Sequence, residues 1–304
     1  ESPDIVILEV GLGGRLDATN VVKPLVTAIS TISLEHTQVL GNTVQDIALE
    51  KAGIIKEGSP VVTQAKDEAL SVLEEACRKK NVPLFSFGRE FSARKVSGNL
   101  NGQLFHYRGI GHTLHNLRIS LLGDYQIKNA SLALAATELL IEKGFIIPEE
   151  AIRNGLAGAR WPGRLEIVRR SPLVVIDGAH NAEAFQGLRN ALQNTFAYRR
   201  LILVLGILGD KALENILEII VPLADALVIT KPNNPRAAEP EDLKKIACKM
   251  VNGPVFVEEN IPKAVNLAIT MARSPDLVLV AGSLYVIGDA RLFLKRKSAS
   301  LPFI

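Results

Sequence analysis

Leu173-Val174-Val175-Ile176-Asp177-Gly178-Ala179-His180-Asn181 sets the architecture of this chain: four apolar residues, an acid and a glycine, then an amphipathic stretch of helical spacing. An unbroken apolar quartet suits a strand buried on both faces, not the alternating strand of a half-solvated sheet. The same unit recurs downstream. Residues 201–205, 226–229, 254–257 and 277–280 are further apolar runs. Helical patterns at 182–193, 212–221, 240–250 and 262–272 separate them. Buried strands alternating with helices predict an α/β fold, a parallel sheet covered on both faces.

Upstream of Arg160-Trp161-Pro162-Gly163 the pattern changes. Residues 5–10 form an apolar run ended by Gly11, and 26–32 form another; both predict strands. Residues 43–51 have helical spacing, with Asn42 or Thr43 available as a cap. Residues 60–63 and 83–87 read as strands around a charged helix at 67–80. The stretch 89–122 breaks into short alternating segments marked by Gly98, Gly102, Gly109 and Gly111, the pattern of appended hairpins. Residues 125–143 and 148–157 are helical, the second opened by Pro148 and two glutamates. The boundary therefore falls near 158–163, and domains of 1–160 and 161–304 are expected. A chain of 304 residues suits two domains of about 150.

Composition narrows the function classes. Hydrophobic residues at 47% and charged residues at 22% exclude a disordered chain. A net charge of +3, no Lys/Arg block and 5% aromatics argue against nucleic acid. No apolar run is long enough to span a bilayer, and no signal peptide is visible. Cys77 and Cys248 fall in separate helical segments without metal-ligand spacing, so a reduced, cytoplasmic chain is expected.

In open α/β sheets, ligands collect at the carboxyl ends of strands. Glu9 ends the first strand pattern, directly before Gly11-Leu12-Gly13-Gly14, and His36 follows the second. A carboxylate and an imidazole at one sheet edge suit Mg²⁺ or Mn²⁺ shared with phosphate and water. On residue types alone the plainer reading stands equally: Glu9 caps the glycine turn and His36 is a loop histidine. Lys51, on the helix after His36, reads either as a solvated lysine or as a lysine carbamylated by CO₂ into a metal-binding carboxylate. The glycine run is neither a dinucleotide fingerprint nor a Walker A loop.

Three blocks in order carry a more specific signal: Glu9-Val10-Gly11-Leu12-Gly13-Gly14-Arg15-Leu16-Asp17-Ala18-Thr19-Asn20, Leu34-Glu35-His36 with Leu40-Gly41, and Glu50-Lys51-Ala52-Gly53-Ile54-Ile55-Lys56. Further blocks follow at 123–130, 161–166, 177–181 and 281–285. Together they resemble the folylpolyglutamate synthases and bifunctional dihydrofolate synthases of the Mur ligase superfamily, along essentially the whole chain. The resemblance implies a Mur-ligase-type central ATPase domain, N-terminally truncated and carrying the appended hairpins, followed by a Rossmann-like, doubly wound C-terminal domain. It implies ATP and Mg²⁺, with up to two ions, and L-glutamate joined to folate or dihydropteroate through an acyl phosphate in a monomeric enzyme. It assigns Glu9 and His36 as metal ligands and Lys51 as the carbamylated lysine placing a second metal. Asn129, Arg164 and Asp177 become the ATP-binding groups, Arg164 toward the phosphates and Asp177 toward the ribose. His180 and Ser283 become residues lining the glutamate side, and Lys51, His180 and Arg164 take the catalytic roles. Without the resemblance, Asn129 is a polar helix residue, Arg164 a linker ion pair, and Asp177 and His180 caps for the helix near Asn181.

One departure stands out. The family's Thr-Asn-Gly-Lys-Gly-Ser-type phosphate loop is found nowhere in these 304 residues, and Lys211 in Gly209-Asp210-Lys211 follows no suitable glycine run. Residues 1–304 alone are therefore expected to be inactive or nearly so. Two other readings remain open: a Mur-type ligase acting on a cell-wall nucleotide precursor, and a non-catalytic nucleotide-binding or scaffold protein.

Overall fold

The computed structural model describes residues 3–209 and 212–299, with side chains to residue 296, so Lys211 lies outside the described residues. The chain divides into two compact units. One holds Glu1–Ser97, Leu104–Ile119 and Tyr125–Gly158; the other holds Gly98–Gln103, Ser120–Asp124 and Ala159–Ile304.

In the first unit, β1 (Thr27–Ile29), β2 (Val61–Thr63) and β3 (Leu84–Ser86) form a parallel sheet in that order, Ala28 facing Val62 and Val62 facing Phe85. After α1 (Thr37–Leu40), α2 (Val44–Ala52) and α3 (Asp67–Lys79) cover this sheet. Ala48, Ala52, Leu73 and Cys77 pack with Ile29, Ile55 and Val61 in one core. Each fully buried aliphatic side chain there contributes about 1.5–3 kcal/mol. Burial pushes the Cys77 thiol up to about 11, which makes it inert. Thr43 closes the start of α2 with a reciprocal capping box: its hydroxyl accepts from Asp46 N–H, and Asp46 accepts from Thr43 N–H.

The strand expected at residues 5–10 is corrected. Among the described residues no strand pairs with it, and Val6, Ile7 and Leu8 stand 65%, 91% and 47% exposed. An apolar run becomes a strand only when a neighbour accepts its amides, and β1 pairs with β2 alone.

The hairpin region forms β4 (Ser92–Asn99), β5 (Gly102–Arg108) and β6 (Thr113–Ile119), adjacent in that order. The buried Glu138 of α4 (Asp124–Glu142) accepts from the Gly111 and His112 amides at 2.7 and 3.1 Å, tying the β5–β6 turn to that helix. α5 (Glu149–Gly158) completes the unit.

The second unit runs β7 (Glu166–Arg170), β8 (Leu173–Ile176), α6 (Ala182–Thr195), β9 (Leu201–Leu205), α7 (Leu213–Ile220), β10 (Ala226–Ile229), α8 (Pro240–Ala247), β11 (Val255–Val257), α9 (Ile261–Met271), β12 (Leu277–Ala281) and α10 (Leu284–Ala299). Its six strands lie in the order β11-β10-β9-β12-β8-β7, all parallel except β7, which runs antiparallel to β8. β8, β9, β10 and β12 are buried almost throughout, as their unbroken apolar sequences require. β7 is an addition to the expected sheet: Glu166, Arg169 and Arg170 give it no apolar run, and it tolerates them as an edge strand. The chain passes from β8 to β9 across the place that β12 later fills. The carboxyl ends of β8, β12 and β9 therefore meet. There Gly206 N–H donates to Ala281 O at 3.3 Å and Gly282 N–H to Ala179 O at 3.1 Å.

Candidate functional site

In the first unit the three sequence blocks fold onto one another. Gly13 takes φ +68°, and a Cβ there would meet Leu40 Cδ2 at 2.9 Å. Gly14 lies against the last turn of α2, where a Cβ would sit 2.9 Å from Glu50 O and 3.2 Å from Lys51 Cα. Arg15 N–H donates to Glu50 O at 2.8 Å, and Asn20 Nδ2 donates to Arg15 O at 2.9 Å and Gly53 O at 3.2 Å. The glycines are thus needed for close approach of backbone to helix.

The loop's internal organiser is Asp17. Its carboxylate accepts from Gly11 N–H and Leu12 N–H on one oxygen, and from Thr19 N–H and Oγ1–H on the other. The Thr19 hydroxyl and amide, then the Leu12 and Gly11 amides, hold its pKa down at about 2. An Asp followed two residues on by Thr, at the start of the 3₁₀ turn Ala18–Val21, is the sequence signal that marks Asp17.

Glu9 is exposed on the unpaired run before this loop. His36 is exposed, holds left-handed backbone (φ 53°) at the start of α1, and places Nε2 3.8 Å from Glu35 Oε1. Lys51 is half-buried in the last turn of α2. Their donor types suit a hard, partly hydrated cation. Among the described residues no three His, Cys, Asp or Glu side chains gather to hold a metal. Asn129 is exposed on α4, and its Nδ2 donates to Gln126 Oε1 at 3.3 Å.

In the second unit the remaining candidates cluster at the carboxyl ends of β8 and β12. Asp177, 4% exposed, has one oxygen accepting from Leu165 N–H at 2.9 Å and the other from Ala179 N–H at 2.8 Å. Burial raises its pKa, opposed by those two amides and by the charges of Arg164 and His180. Asp177 is therefore a clasp between the 161–165 turn and the β8 end rather than a helix cap. The cap of α6 is Asn181, whose side chain accepts from Ala184 N–H at 2.8 Å. His180 is half-buried, with Nδ1 2.9 Å from Gly178 O. Ser283 is buried, and its Oγ accepts from Val286 N–H at 3.1 Å in the first turn of α10. Arg164 lies half-buried over Gly178, where a Cβ would meet Arg164 Nη1 at 2.8 Å. Its guanidinium makes no hydrogen bond or ion pair with a described residue and feels Asp177 through space.

Glu166 also matters here, without having been singled out in sequence. Its Oε2 accepts from Gly163 N–H at 2.8 Å, while Arg291 Nε donates to both carboxylate oxygens at 2.9 and 2.8 Å. That pair joins residues 125 positions apart, a separation no local pattern reveals.

Known proteins resemble this chain along nearly its whole length. The Mur ligase middle domain matches residues 1–137, and the Mur ligase glutamate ligase domain matches residues 163–284. The dihydrofolate synthase/folylpolyglutamate synthase of Bacillus subtilis is 37% identical over 294 residues, covering 96% of this chain and 68% of the relative. Among solved structures, E. coli FolC in complex with DHPP and ADP superposes with a TM-score of 0.87 at 31% identity, covering 97% of this chain and 67% of that one. Mycobacterium tuberculosis folylpolyglutamate synthase complexed with ADP gives a TM-score of 0.87 at 32% identity, covering 94% and 66%. The chain thus spans about two thirds of the length of these relatives.

Proposed function

Because this chain belongs to the Mur ligase family that includes the dihydrofolate and folylpolyglutamate synthases, we propose that it forms most of an ATP-dependent ligase joining L-glutamate to a folate-type carboxylate. The family is one of amide-forming ligases with mixed α/β domains. The observation carrying the reading to this chain is Arg164: a guanidinium at the carboxyl ends of a parallel sheet with no hydrogen bond or ion pair to a described residue, in a chain whose solved relatives are described as complexes with ADP.

In the proposed reaction the substrate carboxylate attacks the γ-phosphorus of ATP, ADP departs, and an acyl phosphate forms. The glutamate amine then adds to the acyl carbon, loses a proton, and phosphate leaves as the amide bond closes. Arg164 would offset charge on the transferring phosphoryl group, the main electrostatic demand of that step. It makes no ion pair with a described residue, which suits this role, since none of those must break first. Asn129 and Asp177 would hold the nucleotide. Asp177 has both oxygens engaged by backbone amides, so a ribose hydroxyl would use a remaining lone pair. His180 and Ser283 would line the glutamate side.

Glu9, His36 and, once carbamylated, Lys51 would hold one or two Mg²⁺ ions, which supply charge neutralisation at the phosphates when bound. The Glu9 and Lys51 side chains have no hydrogen bond or ion pair with a described residue, which leaves them available for that task. Domains of 1–160 and 161–304, a monomer, a cytoplasmic location, and substrates of folate or dihydropteroate, L-glutamate and ATP complete the proposal. None of the described helices is long and apolar enough to cross a membrane.

The test is calorimetric titration of residues 1–304 with ATP, with and without Mg²⁺, repeated for Glu9→Ala. Binding that needs Mg²⁺ and weakens in the variant supports the reading; metal-dependent binding that ignores the substitution removes Glu9 from the site. Turnover, assayed with glutamate against other amino acids, is expected to be absent or nearly so in residues 1–304 on their own.

A further inference from the structure

The segment Trp161-Pro162-Gly163-Arg164 is a β-turn: Arg164 N–H donates to Trp161 O at 3.3 Å, and Gly163 has φ +74°. Proline at the second position and a positive-φ glycine at the third are the signature of a type II turn, which brings its first and last Cα atoms within about 7 Å. The ends of this turn carry Trp161, 58% exposed, and the Arg164 guanidinium, which has no hydrogen bond or ion pair with a described residue.

The turn is held from three sides. Gly178 N–H donates to Gly163 O at 2.7 Å, Glu166 accepts from Gly163 N–H, and Asp177 accepts from Leu165 N–H. Beside it, Leu284 is 59% exposed, and its Cδ2 and Arg164 Nη1 each lie 2.8 Å from the place a Gly178 Cβ would take. A large aromatic residue kept in water on a braced turn, with a cation at the other corner, is shaped for a flat ring bearing an anion.

We propose that Trp161 is the stacking platform for the purine of the nucleotide whose phosphates Arg164 receives, with Leu284 as the apolar rim. The assignment rests on the nucleotide reading above and adds the residue that recognises the base. Pro162 and Gly163 set the spacing between ring and cation, and the Asp177 and Glu166 clasps fix the turn before ligand arrives.

Trp161 is the only tryptophan in the chain, so its emission reports on this turn alone. The experiment titrates residues 1–304 with ADP, tripolyphosphate or pteroate, following the Trp161 fluorescence lifetime, with ADP affinity measured in parallel by calorimetry. ADP is expected to shorten the lifetime saturably, with the calorimetric midpoint. Tripolyphosphate, which has no base, should compete with ADP and leave the lifetime unchanged. Trp161→Ala should weaken ADP binding about tenfold, within the range of base–aromatic stacking, and Trp161→Phe should recover most of that loss. Both variants should bind tripolyphosphate like the parent. Calorimetric ADP binding with an unchanged lifetime and unchanged affinity in Trp161→Ala would overturn the platform and leave the nucleotide reading standing. No ADP binding to the parent chain would overturn both. A lifetime response to pteroate but not to ADP would overturn the purine assignment in favour of a pterin.

Discussion

Arg15 reaches across to Glu50, its Nε and Nη2 donating to one carboxylate oxygen at 3.1 and 3.0 Å, and so pins the glycine loop to the helix that carries Lys51. The same two residues are joined through their backbones, Arg15 N–H to Glu50 O. Glu50→Ala removes only the side-chain part. Global stability should fall by about 0.5 kcal/mol, the usual size for a partly exposed ion pair. Hydrogen exchange at residues 11–16 should quicken by more than that small change accounts for. Unchanged exchange in that loop would show that the backbone bond and Asn20 suffice.

Asp17 makes a pH prediction with a definite sign. Its folded pKa, about 2, lies below the ordinary aspartate value of 3.8, so its contribution is complete above 3.8 and is lost as pH falls toward 2. NMR of the Gly11 and Leu12 amides should show their protection lost in that window, and Asp17→Asn should show reduced protection already at neutral pH. Amides that stay protected through pH 2 would remove Asp17 as the loop's organiser.

Two glycines separate folding from binding. A Cβ at Gly282 would lie 2.5 Å from the Gly206 carbonyl oxygen, and the backbone there has φ +114°. Gly282→Ala should destabilise the second unit by more than about 2 kcal/mol, because backbone must move. At Gly178 the three nearest atoms to a Cβ are side-chain ends, Arg164 Nη1 and Leu284 Cδ2 at 2.8 Å and Ile287 Cδ1 at 3.3 Å. Gly178→Ala should shift stability by less than about 1 kcal/mol while displacing Arg164, so nucleotide affinity should fall several-fold with the melting temperature nearly kept. Equal melting losses in the two variants would contradict this division.

The unpaired run at residues 5–8 leaves an apolar face in water. Residues 1–304 should bind a hydrophobic dye such as ANS, and Ile7→Lys should reduce the signal clearly. Ile7 is 91% exposed, so the substitution should alter stability by no more than about 0.5 kcal/mol. A large loss of stability in Ile7→Lys would mean that this side chain is packed in solution.

The sheet of the second unit was legible in residues 173–176, 201–205, 226–229 and 277–280, because a strand buried on both faces must be apolar at every position and that demand is local. The α2 cap and the hairpin region could be named in sequence for a similar reason, whereas the candidates Glu9, His36, Lys51, Asn129, Arg164, Asp177, His180 and Ser283 took their roles from blocks that resemble the folylpolyglutamate synthases, not from residue types and spacing alone. Tertiary structure decided what depends on distant partners. It turned the apolar run at 5–10 into an unpaired segment, since a ladder needs a neighbour and hydrophobicity cannot supply one. It added the polar edge strand β7, placed Asp17 inside the glycine loop, and gave Asp177 to backbone amides while leaving the Arg164 guanidinium without an ion pair among the described residues. Hydrogen bonds and ion pairs form between groups 35 or 125 residues apart, as for Arg15–Glu50 and Glu166–Arg291. Periodicity reports which face a residue turns inward; only the folded chain decides what it meets there.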